Sequence, residues 1–152
     1  MRAVLVVAFA VLAAALPIGG VSAQQEEEKA VVGVWAPPEQ DSAFEIYPCE
    51  QGRYCGKITM ITEPNLPDGS PKVDLNNEDL SQRGRPLLGM VFLSGFRYDG
   101  NGSFQDGRIY NPRDGKMYKA NMKLEDNNTR LRVRGYVGVP MLGQTQIWTR
   151  AR

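Results

Sequence analysis

The side chains that most often carry out chemistry in proteins are sparse in this chain. It has two cysteines, Cys49 and Cys55, and no histidine. Ser-His-Asp and Cys-His catalysis both need an imidazole, as do His-ligated zinc and copper sites. The sequence therefore predicts that any catalysis would depend on the two cysteines, on carboxylates, lysine or tyrosine, or on a hard cation.

The two cysteines are separated by five residues. In an oxidising compartment they would form a disulfide, which stabilises a loop this short by about 2 kcal/mol. A redox-active pair is the alternative, but catalytic dithiols usually have the Cys-x-x-Cys spacing at a helix start. We predict a structural Cys49–Cys55 disulfide, which also removes thiolate catalysis and cysteine-ligated zinc.

Arginines at the end of a long polar stretch form the first candidate binding site. In Arg83-x-Arg85-Pro86, the two guanidinium groups can bond carbonyls and carboxylates and so pin a loop. They can instead bind an anionic ligand at the mouth of a barrel. A second group, Arg130, Arg132 and Arg134, is predicted to lie on the solvated face of a strand, with anion binding as the alternative.

The same polar stretch contains a partial calcium-loop pattern, Asp74-x-Asn76-x-Glu78. A calcium loop has glycine at its sixth position and glutamate at its twelfth, where this chain has Asp79 and Arg85. We predict no metal site and no cofactor, and a loose surface cation site is the alternative.

Hydrophobic periodicity and turn chemistry predict an all-β chain. The later turns, such as Asp99-Gly100-Asn101-Gly102, are short, so consecutive strands should be antiparallel neighbours. Eight short antiparallel strands in a chain of this size most simply close into an up-and-down barrel, which removes exposed edges. The predicted strands are 31–36, 43–48, 53–62, 88–98, 103–110, 116–124, 129–137 and 143–150.

One connection, residues 63–86, is too long for a hairpin turn. Residues 75–82 within it could form a turn or two of helix. Long ordered loops of this type are usually lids or binding loops, and we expect this one to lie over the mouth of the barrel.

The N-terminal segment has the pattern of a secretory signal peptide. Arg2 precedes an apolar run, and Val21-Ser22-Ala23 supplies the small residues that signal peptidase requires. We predict Sec-type export, cleavage after Ala23, and a periplasmic or secreted location with no membrane-spanning segment after cleavage. The predicted divisions are a signal peptide (1–23), a flexible acidic tail (24–30) and one barrel domain (31–152).

Net charge excludes some classes of partner. The full chain has 18 basic and 17 acidic residues, and Arg2 is the one charged residue of the predicted signal peptide. The remaining chain is therefore neutral overall, which does not favour nucleic acid or an anionic membrane surface as a partner.

Two features resemble the lipocalin-type (calycin) barrels: Gly33-Val34-Trp35 in the first strand and Trp148-Thr149-Arg150 in the last. A more specific resemblance, to the exported bacterial proteins of domain-of-unknown-function family 2147, extends over nearly the whole chain after the signal peptide. It rests on ordered motifs that include Tyr54-Cys55-Gly56-Lys57-Ile58, Arg83-x-Arg85-Pro86-Leu87-x-Gly89, Leu131-x-Val133-Arg134-Gly135-Tyr136 and Gly143-x-Thr145-Gln146-x-Trp148-Thr149-Arg150. The resemblance implies a lipocalin-like barrel in Gram-negative bacteria and no particular activity. It also implies structural roles for Trp35, Trp148 and Arg150, with Arg150 packed over Trp35.

Three functions remain open at this point. The first is binding of a small apolar molecule in the periplasm, with Phe92, Phe96, Met90, Tyr118, Arg83 and Arg85 as candidate ligand-binding residues. The second is a ligand-free structural or protein-interaction module of the cell envelope. The third, a carboxylate-dependent hydrolase, is the least favoured because no recognisable pair of carboxylates stands out, and we predict no catalytic residue. Most aromatic residues are expected in the core or lumen: Trp35, Trp148, Tyr47, Tyr54, Phe92, Phe96, Tyr110 and Tyr118.

Overall fold

A computed structural model describes residues 19–151, with side chains from residue 23 onward. These residues form one α-helix, α1 (Gly19–Lys29), three short 3₁₀ turns and eight strands. The strands are β1 (Gly33–Ala36), β2 (Ser42–Cys49), β3 (Arg53–Ile61), β4 (Val91–Gly100), β5 (Ser103–Asn111), β6 (Lys116–Glu125), β7 (Arg130–Tyr136) and β8 (Gln144–Arg150). Within the described residues, no helix is long and apolar enough to cross a membrane.

The eight strands form a closed antiparallel barrel in sequence order. The first and last strands close it through the pairs Trp35–Arg150 and Ala36–Thr149. The predicted all-β, eight-stranded up-and-down barrel is confirmed. The predicted strands differ from these mainly by a few residues at their ends.

The barrel has two unlike ends. At one, which we call the closed end, lie α1 and the short connections 50–52, 101–102 and 126–129. At the other, the open end, lie the connections 37–41, 62–90, 112–115 and 137–143. Large side chains fill the barrel between them, and close contacts such as Phe96 against Gly107 leave no space for a Cβ at that glycine. Fully buried core residues include Trp35, Ile46, Leu93, Phe96, Phe104, Ala120, Leu131 and Trp148.

The N-terminal region differs from the predicted flexible tail. Residues 24–29 belong to α1, which also spans the predicted cleavage point after Ala23. The helix is held by contacts with the barrel, because Tyr98 donates to Glu27 over 2.6 Å and Tyr54 donates to Glu28 over 3.0 Å. Most of the predicted signal peptide, residues 1–18, lies outside the described residues.

The long connection is attached to the outside of the barrel. Asn76 donates to the carbonyls of Pro112 and Arg113, over 3.2 and 3.1 Å, in the turn between β5 and β6. The expected helix over 75–82 is reduced to one 3₁₀ turn, Leu80–Gln82. The predicted lid is thus anchored beside the rim of the open end, and Leu87 near its end packs against the core.

Candidate functional site

Arg150 covers Trp35 at the closed end. Its guanidinium carbon lies 4.2 Å from the centroid of the indole ring, a distance at which cation–π attraction operates. The guanidinium also donates to the carbonyls of Ala30, Val32 and Asn128. Burial lowers the pKa of Arg150. One side chain therefore ties the last strand to the segment before β1 and to the β6–β7 turn.

Gly33 permits this arrangement. Its φ is +133°, and a Cβ at this position would lie 2.8 Å from Nη1 of Arg150. A larger residue would meet both backbone strain and a steric clash. In the Gly-x-Trp motif, the glycine is therefore required by the close approach of Arg150, and the tryptophan by burial of its indole. Nε1 of the indole donates to the carbonyl of Val31 over 2.8 Å.

The disulfide between Cys49 and Cys55 is also at the closed end. The bond runs diagonally across the β2–β3 hairpin, where Cys49 is opposite Arg53 and Cys55 is opposite Tyr47, with a Cα–Cα distance of 5.8 Å. The prediction of this bond is confirmed. Beside it, burial and then the hydrogen bond to Glu28 raise the pKa of Tyr54 to about 12.

The long connection carries a buried carboxylate, Asp74, which is fully inaccessible to solvent. Tyr110 donates to one carboxylate oxygen over 2.7 Å. Asn77 and Arg85 donate to the other over 2.7 and 2.8 Å. Burial alone would raise the pKa of Asp74, but these hydrogen bonds outweigh it and hold the pKa below its usual value. Burial, and then the bond to Asp74, raises the pKa of Tyr110 to about 12.

This cluster lies on the outer face of the barrel and attaches the loop to β5. Arg83 makes a second attachment, donating from Nε to the carbonyl of Asn77 over 2.8 Å. Arg83 and Arg85 therefore both bond to groups of their own loop. This is the arrangement expected of arginines that hold the loop in place. Within residues 19–151, no three His, Cys, Asp or Glu side chains are grouped so that they could hold a metal ion.

The Arg130, Arg132 and Arg134 series faces outward, since the alternating residues Leu131 and Val133 are buried. Arg130 pairs with Asp126 over 3.0 Å and Arg132 pairs with Glu125 over 2.7 Å. These are surface ion pairs. The third member, Arg134, donates to the carbonyls of Pro140 and Met141 over 2.6 and 3.1 Å. It therefore braces the β7–β8 connection.

An aromatic cluster fills the part of the barrel towards the open end. The ring centroid of Phe44 lies 4.7 Å from that of Phe92 and 4.7 Å from that of Trp148. Phe44 is only partly buried and packs at the margin of the core. Phe44 was not among the predicted ligand-binding residues, although strand periodicity indicates its inward position in β2, opposite Trp35.

Gln146 is an exposed residue on the same face of β8 as the buried Trp148. Nε1 of Trp148 donates to its Oε1 over 2.9 Å. An indole N–H is a donor only, so this bond fixes the orientation of the amide, with the carbonyl towards Trp148 and the NH₂ group directed elsewhere. The cluster therefore carries an oriented hydrogen-bond donor at its margin.

The six predicted ligand-binding residues do not form one site. Phe92 belongs to the aromatic cluster, whereas Phe96 is fully buried against Gly107. Met90 is buried immediately before β4. Tyr118 donates to Asp114 over 2.6 Å in the β5–β6 turn, and the two arginines lie outside the barrel.

Two shallow depressions lie at the rim of the barrel. One, of about 360 Å³, is next to the seam between β1 and β8. The other, of about 420 Å³, lies beside the end of the long connection. Arg85, Pro86, Leu88, Gly89, Met90 and Val91 line this second depression.

Comparison with known proteins identifies the class of this molecule. The bacterial family described as "Uncharacterized protein conserved in bacteria (DUF2147)" matches residues 33–150. The chain belongs to that family, as the resemblance predicted. No curated protein matches the chain significantly.

Among solved structures, the chain is similar to protein HP1028 from Helicobacter pylori, which is described as belonging to the lipocalin family. The match has a TM-score of 0.68 and 26% sequence identity, and covers 80% of this chain and 83% of that chain. The lipocalin-like nature of the barrel is confirmed.

Proposed function

We propose that this protein binds a small, largely apolar molecule in the periplasm, at the open end of its barrel. The proposal rests on the cluster of Phe44, Phe92 and Trp148 in a lipocalin-like barrel. In this cluster the ring of Phe44 is partly exposed to solvent. Because the deeper interior is filled by side chains such as Phe96 and Phe104, the ligand would lie against this cluster rather than beneath it.

Gln146 gives the proposed site a polar preference. Its amide NH₂ group is left unoccupied by the bond from Trp148, so it can donate to a carbonyl, ether or carboxylate oxygen of the ligand. Aromatic walls with a few oriented polar groups are typical of small-molecule sites. The periplasmic location rests on the predicted signal peptide, and the disulfide supports an oxidising compartment.

Titration with N-phenyl-1-naphthylamine, a neutral apolar fluorophore, tests this proposal. We expect saturable binding and energy transfer from both tryptophans, because Trp148 lies in the cluster and Trp35 is opposite Phe44 in β1. Phe44→Ala should weaken binding by up to about tenfold, because an aromatic pair contributes roughly 0.5–1.5 kcal/mol beyond its buried area. Val91→Ala is the matched control, since it removes an exposed apolar side chain outside the barrel.

Circular dichroism establishes that each variant is folded before it is titrated. Equal affinities for the Phe44→Ala and Val91→Ala proteins would contradict the proposed site. Binding that never saturates would contradict ligand binding itself.

A second candidate function, protein interaction in the cell envelope, is favoured by the β7–β8 connection. Its exposed side chains are strongly apolar: Val137 is 70% exposed, Met141 88% and Leu142 80%. Arg134 holds the backbone beneath them. Exposed apolar groups on a braced loop are characteristic of contact surfaces. Size-exclusion chromatography with light scattering, comparing the natural protein with a Met141→Ser, Leu142→Ser variant, tests for self-association through this loop.

A further inference from the structure

The closing seam of the barrel is incomplete. β1 pairs with β8 at only two positions, ending at Ala36–Thr149, whereas β7 pairs with β8 as far as Gln144. Pro37 and Pro38 follow β1 directly. Because proline has no backbone N–H and cannot donate to a neighbouring strand, the pairing stops there, and the first part of β8 has no neighbour on its β1 side.

Hydrogen-bond alternation identifies the unpaired groups. The N–H of Arg150 bonds Thr129 on the β7 side, and that of Ala151 bonds Val34 on the β1 side. In an antiparallel ladder successive residues alternate between the two sides, so the backbone N–H and C=O of Thr145 and Ile147 face the β1 side. Within residues 19–151, these groups have no backbone partner there.

This edge lacks the usual protection against pairing with another chain. Natural edge strands are commonly protected by charged side chains or proline. Residues 144–147 are Gln-Thr-Gln-Ile, with neither. Threonine and isoleucine also favour extended backbone. The edge is therefore chemically suited to accept one more strand.

The rim depression of about 360 Å³ lies against the paired part of the same seam, where Thr149, Arg150 and Ala151 line it. Ser42 and Ala43 of β2, on its far side, likewise have no partner in β1. Its lining mixes small residues with Gln40, Met60 and the charged Arg150. The complete lining is Ala36, Gln40, Ser42, Ala43, Met60, Thr149, Arg150 and Ala151.

We propose that this seam binds an extended, uncharged segment of a partner protein, which adds to β8 as an antiparallel strand in line with β1. The segment's main chain pairs with Thr145 and Ile147, and an apolar side chain of the segment contacts Ala43 and Met60. Strand addition of this kind obtains affinity from main-chain hydrogen bonds and specificity from alternate side chains. The proposal is independent of ligand binding at the aromatic cluster.

Amide hydrogen exchange with a synthetic peptide tests the proposal on the whole exported protein. The probe is an end-blocked hexapeptide of alternating threonine and valine. At saturation, exchange at Thr145 and Ile147 should slow by about tenfold or more, whereas Gln146 and Trp148, whose amides face β7, should not change. The same peptide N-methylated at alternate residues is the control and should have no effect.

A variant that fills the seam from within gives a second test. Pro37→Thr with Pro38→Val allows β1 to extend opposite Ile147, so the exchange of Ile147 should slow without peptide and the peptide should no longer bind. Glu39→Gln, in the same connection, should behave like the natural protein.

Unchanged exchange at Thr145 and Ile147 with millimolar peptide would overturn the proposal. Protection that rises with protein concentration alone would also overturn it, by assigning the edge to a second copy.

Discussion

Arg150 and Trp35 are directly opposite each other in the closing strand pair, and the guanidinium of one lies over the indole of the other. The same guanidinium satisfies three carbonyls, those of Ala30, Val32 and Asn128. A contact between the first and last strands thus seals the closed end of the barrel.

Arg150→Ala should lower the free energy of unfolding by about 1–3 kcal/mol, from loss of the cation–π contact and of the hydrogen bonds. Arg150→Lys should recover only part of that loss, because an ammonium cannot reach three carbonyls in the geometry of a planar guanidinium. Urea unfolding followed by tryptophan fluorescence measures both. Equal stability of the Arg150→Ala and natural proteins would show that the contact of Arg150 with Trp35 does not stabilise the fold.

Gly33→Ala should also destabilise the barrel, by about 1–3 kcal/mol, because a non-glycine residue at φ +133° is strained and its Cβ would press on Arg150. Combined with Arg150→Ala, the loss should be smaller than the sum of the two single losses, since the clash disappears and only the strain remains. A double-mutant cycle measures this coupling. Strict additivity would mean that the two residues do not interact.

Asp74→Asn should detach the long connection and cost about 2–4 kcal/mol, because it leaves Arg85 and Tyr110 with a neutral, poorly oriented partner. The pKa of Asp74 is lower in the folded state than in the unfolded chain. Its contribution is therefore present above pH about 4 and is lost as the pH falls through the folded-state value. Acid titration of stability should be flatter below pH 4 in the Asp74→Asn protein than in the natural one. Parallel titration curves would contradict this assignment.

At alkaline pH the two buried tyrosines should control stability. The pKa values of Tyr54 and Tyr110 are both raised to about 12, whereas an unfolded tyrosine titrates near 10. Their contribution is complete below pH 10 and is lost as the pH rises from 10 to 12. Tyr54→Phe and Tyr110→Phe should each reduce the slope of stability against pH in that range. Absorbance at 295 nm measures the titration directly, and normal titration near pH 10 in the folded protein would refute the prediction.

The exported protein should begin at Gln24 and contain no free thiol. Intact-mass spectrometry of the periplasmic fraction measures the first, and thiol labelling without reductant measures the second. Cys49→Ser should cost about 2 kcal/mol, since it opens a short loop. A mature terminus elsewhere would contradict the predicted cleavage after Ala23.

Strand number, order and closure could be predicted because they depend on local signals. In β7, strict alternation places Leu131 and Val133 inside and the arginines outside, and the structure agrees. Short turns then leave few ways to connect the strands. The Cys49–Cys55 bond was similarly predictable because both residues lie on one hairpin.

Tyr110 shows where strand periodicity is insufficient. Alternation from Phe104 would place it inside the barrel, in agreement with its predicted position in the core or lumen. The register shifts between Phe104 and Gly107, where Asp106 has a φ of +63°. This irregularity exchanges the two faces, so Tyr110 points outward and meets Asp74. A bulge of this type depends on tertiary packing, and its position is not evident from the sequence of the strand.

The helix α1 was missed for a different reason. Its sequence has poor helix formers at the start and no apolar periodicity, which is typical of a solvated tail. Its carboxylates instead accept hydrogen bonds from Tyr54 and Tyr98, residues far along the chain. The six predicted ligand-binding residues lie apart in the structure for the same reason, which is that their positions depend on tertiary contacts. Neither the outward attachment of Arg85 nor the partial exposure of Phe44 is a local property of the sequence.

The contact between Arg150 and Val32 joins residues separated by 118 positions. Closing so long a loop costs more chain entropy than closing a hairpin, by an amount that grows with the logarithm of loop length, and contacts of this range slow folding. The hairpins between consecutive strands can form early, whereas the circle of strands is completed only after the final strand is available. Until then, solvent can reach the interior aromatic residues through the gap between the first strand and the last. The contacts of Arg150 hold that gap closed in the finished barrel.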